Sequence, residues 1–110
     1  MSIDLAKQKC KPCEGGMPPI SPAEAARLLG QLEGWQLADD AITKTYEFKN
    51  HYQTLAFVNA IAWMAHREDH HPDLEVGYNR CRVVYATHAI GGLSQNDFIC
   101  AAKVDALFHL

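Results

Sequence analysis

From residue 21 onward the chain carries two hydrophobic rhythms, one with a period near 3.6 and one with a period of 2. Ala25, Leu28, Leu29 and Leu32 recur at helical spacing behind Ser21-Pro22-Ala23-Glu24. That tetrapeptide reads as an N-cap, a proline suited to the first helical position and a capping-box glutamate, with Gly34 expected to end the helix. Residues 35–38 and 42–49 read as two strands joined at Asp39-Asp40. The second alternates Ile42, Lys44, Tyr46 and Phe48 with Thr43, Thr45, Glu47 and Lys49. Asn50 is placed to cap a second helix running to about Asp69. This helix is apolar around much of its circumference through Leu55, Phe57, Val58, Ile61, Ala62, Trp63, Met64 and Ala65. Such a helix is expected to be covered on more than one side. Pro72 disfavours helix at His71 and closes the element. Residues 74–79 and 81–88 read as two more strands, with His88 at the end of the second. Gly91-Gly92 reads as a turn, and Ser94-Gln95-Asn96-Asp97 as the capped start of a third helix through Phe108.

The resulting order, α-β-β-α-β-β-α, predicts an α+β fold: a four-stranded antiparallel sheet with three helices packed on one face. Residues 1–20 show no periodicity and hold Pro12, Gly15, Gly16, Pro18 and Pro19. They are expected to form a flexible or loosely docked arm ahead of a single domain over 21–110.

Composition narrows the function classes. The chain has 110 residues, 48% of them hydrophobic and 21% charged, as an ordinary globular domain would. Its formal net charge is −3 and its lysines and arginines form no stripe, which argues against direct binding to nucleic acid or to an anionic membrane. No apolar run approaches the ~20 residues of a membrane span. The first residues also lack the apolar stretch of a signal peptide, so a cytoplasmic location is expected. There Cys10, Cys13, Cys81 and Cys100 would stay mostly as thiols.

Six histidines stand out, three of them in His66-x3-His70-His71 and a fourth at His88. An imidazole with its ordinary pKa near ~6.5 both gives and takes a proton around neutrality. A helix C-terminus, where His70 and His71 fall, favours the charged form. The spacing alone leaves surface or capping histidines as an open reading. It also leaves a zinc site open, because His66 and His70 lie four apart; but the motif is HREDH, not HExxH, and Cys10-x2-Cys13 has no second pair. Asp97 reads equally as a helix cap or as the orienter of a histidine.

With these residues in view, the chain resembles the pterin-4a-carbinolamine dehydratase family from its first helix to its C-terminus. The family signature is an acidic, basic or histidine residue, three others, His, His or Asn, Pro, then a spaced aromatic, His and Asp. Here those positions are His66, His70, His71, Pro72, Tyr78, His88 and Asp97. The chain departs from many members in one respect: His66 stands where they place a glutamate. The resemblance implies a four-stranded antiparallel sheet with helices on one side, and a homodimer or homotetramer.

It also implies an activity, the dehydration of a 4a-hydroxytetrahydropterin left by an aromatic amino-acid hydroxylase, to a quinonoid dihydropterin and water. A proton must leave N5 and the departing hydroxyl must gain one. By resemblance His70 and His88 are the candidate acid and base, unassigned between them. His71 would bind the ring and is open to a share in proton transfer. Pro72 would hold the loop, Thr87, Ala89 and Ile90 would flank the pterin, and Asp97 would orient a histidine. His66, Asp69 and Tyr78 would support the site. The chemistry requires no metal and no organic cofactor. Two other classes stay in play. One is a dimerisation cofactor, since animal members stabilise dimers of a homeodomain transcription factor. The other is a metal-dependent hydrolase.

Overall fold

The computed structural model describes residues 4–12 and 18–109. Helix α1 spans Pro22–Leu29, and the Ser21 hydroxyl accepts a hydrogen bond from the Glu24 backbone N–H at 3.1 Å. The expected capping box is only half formed. The Glu24 carboxylate turns instead to Arg27, one turn on, at 2.9 and 2.5 Å. The helix also ends short of Gly34, with Gly30 as its cap. Gly34 serves the next step: its φ of +80° turns the chain toward the first strand, and a Cβ there would lie 3.1 Å from the Lys44 side chain.

Strands β1 (Gln36–Ala38) and β2 (Ala41–Glu47) form a hairpin through Asp39-Asp40, where Asp39 takes the left-handed conformation that aspartate tolerates better than most residues. Asn50 caps α2 (His51–Glu68) by accepting from the Gln53 N–H at 2.9 Å. Asp69, with φ of 52°, ends this helix, so the turn precedes Pro72 by three residues. Strands β3 (Asp73–Val76) and β4 (Arg80–Tyr85) complete an antiparallel sheet of order β1-β2-β4-β3. Both are shorter than the sequence pattern suggests. Residues 77–79 make the turn between them, the Gly77 N–H donating to the Arg80 carbonyl at 2.7 Å, and the Tyr78 carbonyl there accepts from Thr54 Oγ1 at 3.0 Å and lies 2.9 Å from His51 Nδ1.

The register places Ile42, Lys44 and Tyr46 opposite Tyr85, Val83 and Cys81 on one face of the sheet. Helix α3 (Gln95–Phe108) covers that face with Phe98, Ile99, Ala101 and Val104, all buried. Lys44 is the one charge in this apolar row. Its ammonium reaches past the core to Asp105 at 2.9 Å and to the Glu33 carbonyl at 2.8 Å. Asp105 also accepts from Trp35 Nε1 and from the Tyr46 hydroxyl, which ties β2 and the residue just before β1 to α3. Helix α2 buries a stripe of Thr54, Phe57, Ile61 and Ala65. Val58 and Met64 pack partly against the same core, while Tyr52 at 85% and Trp63 at 64% exposure face outward in the single chain.

Residues 4–12 of the expected arm lie against α3. Leu5, in a short 3₁₀ turn (Leu5–Lys7), is buried, and Lys103 Nζ donates to the Ala6 carbonyl at 2.8 Å. Cys13 falls outside the described residues. Among those described, no helix is long and apolar enough to cross a membrane.

Candidate active site

The site is assembled where three chain ends meet: the C-terminus of α2, the exit from β4 and the N-terminus of α3. The left-handed turn at Asp69 directs the chain back, and the His70 N–H bonds to the Ala65 carbonyl at 3.1 Å. That turn sends the His70 side chain inward. Its ring stacks on Tyr85 with centroids 5.3 Å apart, and its Nε2 lies 2.6 Å from Asp97 Oδ1.

Asp97 is fully buried. It forms the capping box with Ser94, its Oδ2 accepting from the Ser94 backbone N–H at 2.9 Å. The same oxygen accepts from the Thr87 hydroxyl at 2.8 Å, and Thr87 Oγ1 and Ser94 Oγ lie 2.7 Å apart. Both readings of Asp97 therefore hold at once, because its two oxygens serve different partners. Each of its oxygens thus meets a hydrogen-bond partner, as a buried polar group requires. Burial pushes the His70 pKa down, but the hydrogen bond and charge of Asp97 outweigh it, and the net shift is upward.

His88 does not end a strand. Strand β4 stops at Tyr85, and His88 opens a 3₁₀ turn (His88–Ile90). This turn is closed by a bridge between Thr87 and Gly92, with the Thr87 N–H bonded to the Gly92 carbonyl at 3.0 Å. Gly91, with φ of 68°, makes the reversal, and a Cβ on Gly92 would meet Pro19 at 2.9 Å. The loop is thus tight, and His88 stands exposed on it.

A cleft of about 520 Å³ lies between these elements, within the size range of small-molecule sites. His70, His71, Thr87, His88, Ala89 and Asp69 all line it. Pro72 and His66 do not; they line a neighbouring hollow that His70, His71 and Asp69 share, and His66 leans on Trp63 at 5.7 Å between centroids. Ile90 faces a third hollow, beneath the arm. Tyr78 is remote from the cleft, exposed and stacked on His51 at the other end of α2. Among the described residues, no three His, Cys, Asp or Glu side chains are arranged to hold a metal ion.

The cleft also has a wall that the sequence pattern did not announce. Lys9, Cys10, Lys11 and Pro12 line it. The Lys11 backbone is clamped by Asn96 from both sides, N–H to Oδ1 at 3.0 Å and Nδ2 to carbonyl at 2.5 Å. The Cys10 N–H donates to Glu68 at 2.9 Å. Backbone docking of this kind leaves no periodicity to read.

The chain is similar over most of its length to known proteins. The family profile of pterin 4 alpha carbinolamine dehydratase matches residues 18–107. A relative from Nitrosomonas eutropha, named for pterin-4-alpha-carbinolamine dehydratase, is 71% identical over 105 residues, covering 94% of this chain and 93% of its own. One from Dechloromonas aromatica, named likewise, is 57% identical over 109 residues, covering 99% and 97%. A crystal structure from Brucella melitensis, titled a transcriptional coactivator/pterin dehydratase, superposes with a TM-score of 0.78 at 34% identity, covering 81% of this chain and 97% of that one. With nine-tenths-length relatives above half identity and a profile match from before α1 to the end of α3, this chain belongs to the pterin 4 alpha carbinolamine dehydratase family.

Proposed function

We propose that the protein is a hydro-lyase that removes water from a 4a-hydroxytetrahydropterin, with His70 as the general acid and His88 as the general base. The family and its relatives support pterin carbinolamine dehydratase activity. The observation that carries the residue roles is the cleft itself, which gathers His70, His71 and His88 with His70 alone anchored to a buried carboxylate.

The assignment of acid and base follows from the two environments. Asp97 favours the charged form of His70, so the imidazolium is present to protonate the departing 4a-hydroxyl. Its Nε2 is engaged by Asp97, and delivery of the proton falls to Nδ1. His88, exposed on its loop, takes the N5 proton. The C4a–O bond breaks, water leaves, and the N5 lone pair forms the new double bond of the quinonoid dihydropterin. His71 holds the ring, and the backbone around Thr87 and Ala89 faces its amide edge. The pterin is thereby returned toward use by an aromatic amino-acid hydroxylase. His66, Asp69, Pro72 and Ile90 act through the shape of the surrounding loops.

The test is dehydration of enzymically generated 4a-hydroxytetrahydropterin, corrected for spontaneous water loss. His70→Ala and His88→Ala are each expected to lower kcat by about 10²-fold or more. Parent-like rates in both variants would reject the assignment.

A second reading, a protein-binding role, draws on the double title of the Brucella structure and on the outward apolar residues of α2. It predicts a biological effect that survives His70→Ala, whereas the enzymatic reading predicts its loss.

A further inference from the structure

We propose that Cys10 and Cys100 are a disulfide-forming pair, a modification site that bonds the N-terminal segment covalently to α3 at the edge of the cleft. Their sulfurs lie 3.4 Å apart although 90 residues separate them in the chain. An S–S bond needs them to close to about 2.05 Å, a movement within reach of side-chain rotation. Three contacts already hold the segment in place at Cys10 and at the residue after it: the Cys10 N–H on Glu68, and the two-way clamp of Lys11 by Asn96.

The two sulfurs differ in access and in charge. Cys10 is half-buried and lines the cleft, while Cys100 is fully buried behind it. The Cys100 thiol is drawn down by the hydrogen bond from Cys10, against its burial, and further by the charge of His70. The hydrogen bond to Cys100, burial and the nearby negative charges hold the Cys10 thiol up.

With a peroxide as oxidant the step balances. The peroxide enters the cleft and meets Cys10. The Cys10 sulfur attacks one peroxide oxygen and the O–O bond breaks; the released hydroxide takes the Cys10 proton and leaves as water, which gives a sulfenic acid at Cys10. The Cys100 sulfur then attacks the Cys10 sulfur and expels the hydroxyl, which leaves with the remaining proton as a second water. Two thiols and one peroxide become one disulfide and two waters. A thiol reductant reverses it.

Cys13 is the competitor, since Cys10-x2-Cys13 is a local pair by sequence. The experiment treats the native full-length protein with hydrogen peroxide, counts free thiols, and maps the linked peptides by mass spectrometry. The proposal expects two of the four thiols to be lost, a peptide linking Cys10 to Cys100, and reversal by dithiothreitol. It also expects Cys13→Ser to behave as the parent and Cys10→Ser to form no such link. Because the bond closes a long loop, the oxidised protein is expected to melt at a higher temperature than the reduced one. A Cys10–Cys13 link, a link between two chains through Cys10, or four thiols surviving when the unfolded chain is readily oxidised would each overturn the proposal.

Discussion

Asp97 does two jobs with two oxygens. Oδ2 closes the capping box of α3 and receives Thr87, while Oδ1 holds His70. Replacing Asp97 with Asn keeps the shape but removes the charge that favours imidazolium. The expected outcome is a lower His70 pKa, read by NMR titration of the ring protons, together with a fall in kcat larger than any change in KM. An unchanged titration would show that Asp97 does not set the charge of His70. The sign for stability follows from the same shift. The folded pKa of His70 lies above its ordinary value near ~6.5, so the charged pair stabilises the fold fully below that value. As pH rises through the raised folded value that contribution is lost, and denaturant midpoints of the parent are expected to decline there more than those of Asp97→Asn.

At the scale of elements, Asp105 joins the first hairpin to the last helix. It receives Trp35 Nε1 at 3.2 Å, Lys44 Nζ at 2.9 Å and the hydroxyl of the buried Tyr46. Asp105→Ala would strand the indole and phenol donors in the core, at a cost of about 3 kcal/mol. The measurement is a urea unfolding midpoint. The cleft lies at the other end of α3, so kcat per folded molecule is expected to stay at the parent level. The placement of elements was largely legible in the sequence, since the alternation in β2 and the caps at Ser21, Asn50 and Ser94 are local signals. Strand ends were less so. Residues 77–79 turn the chain from β3 into β4, as Gly77 and Asn79 favour, whereas residues 86–88 are as strand-like as their neighbours and leave the ladder for the Thr87–Gly92 bridge.

For the molecule as a whole, α2 is the element a single chain leaves unfinished. Its length and apolar circumference predict cover on more than one side, yet one stripe is buried while Tyr52, Leu55 and Trp63 face outward. Association of chains through this face is the expected consequence. Sedimentation of the parent should show an oligomer, and Trp63→Glu should shift it to a smaller species. A monomeric parent would leave the face to another partner.

The sequence by itself determined the order of elements and the α+β class, because these are carried by local periodicity and capping residues, and its spaced signature singled out candidate histidines. The resemblance it carries made His70 and His88 the candidate acid and base, unassigned between them, and His71 the ring binder. Only the tertiary structure decided that His70 alone meets a buried carboxylate, that Tyr78 stands far from the cleft while His66, Pro72 and Ile90 border its neighbours, and that residues 9–12 form a wall beside Cys100. The physical reason is range. Periodicity reports which face of an element is apolar, whereas the proton state of a histidine or the approach of two sulfurs depends on groups brought together from 27 or 90 residues away.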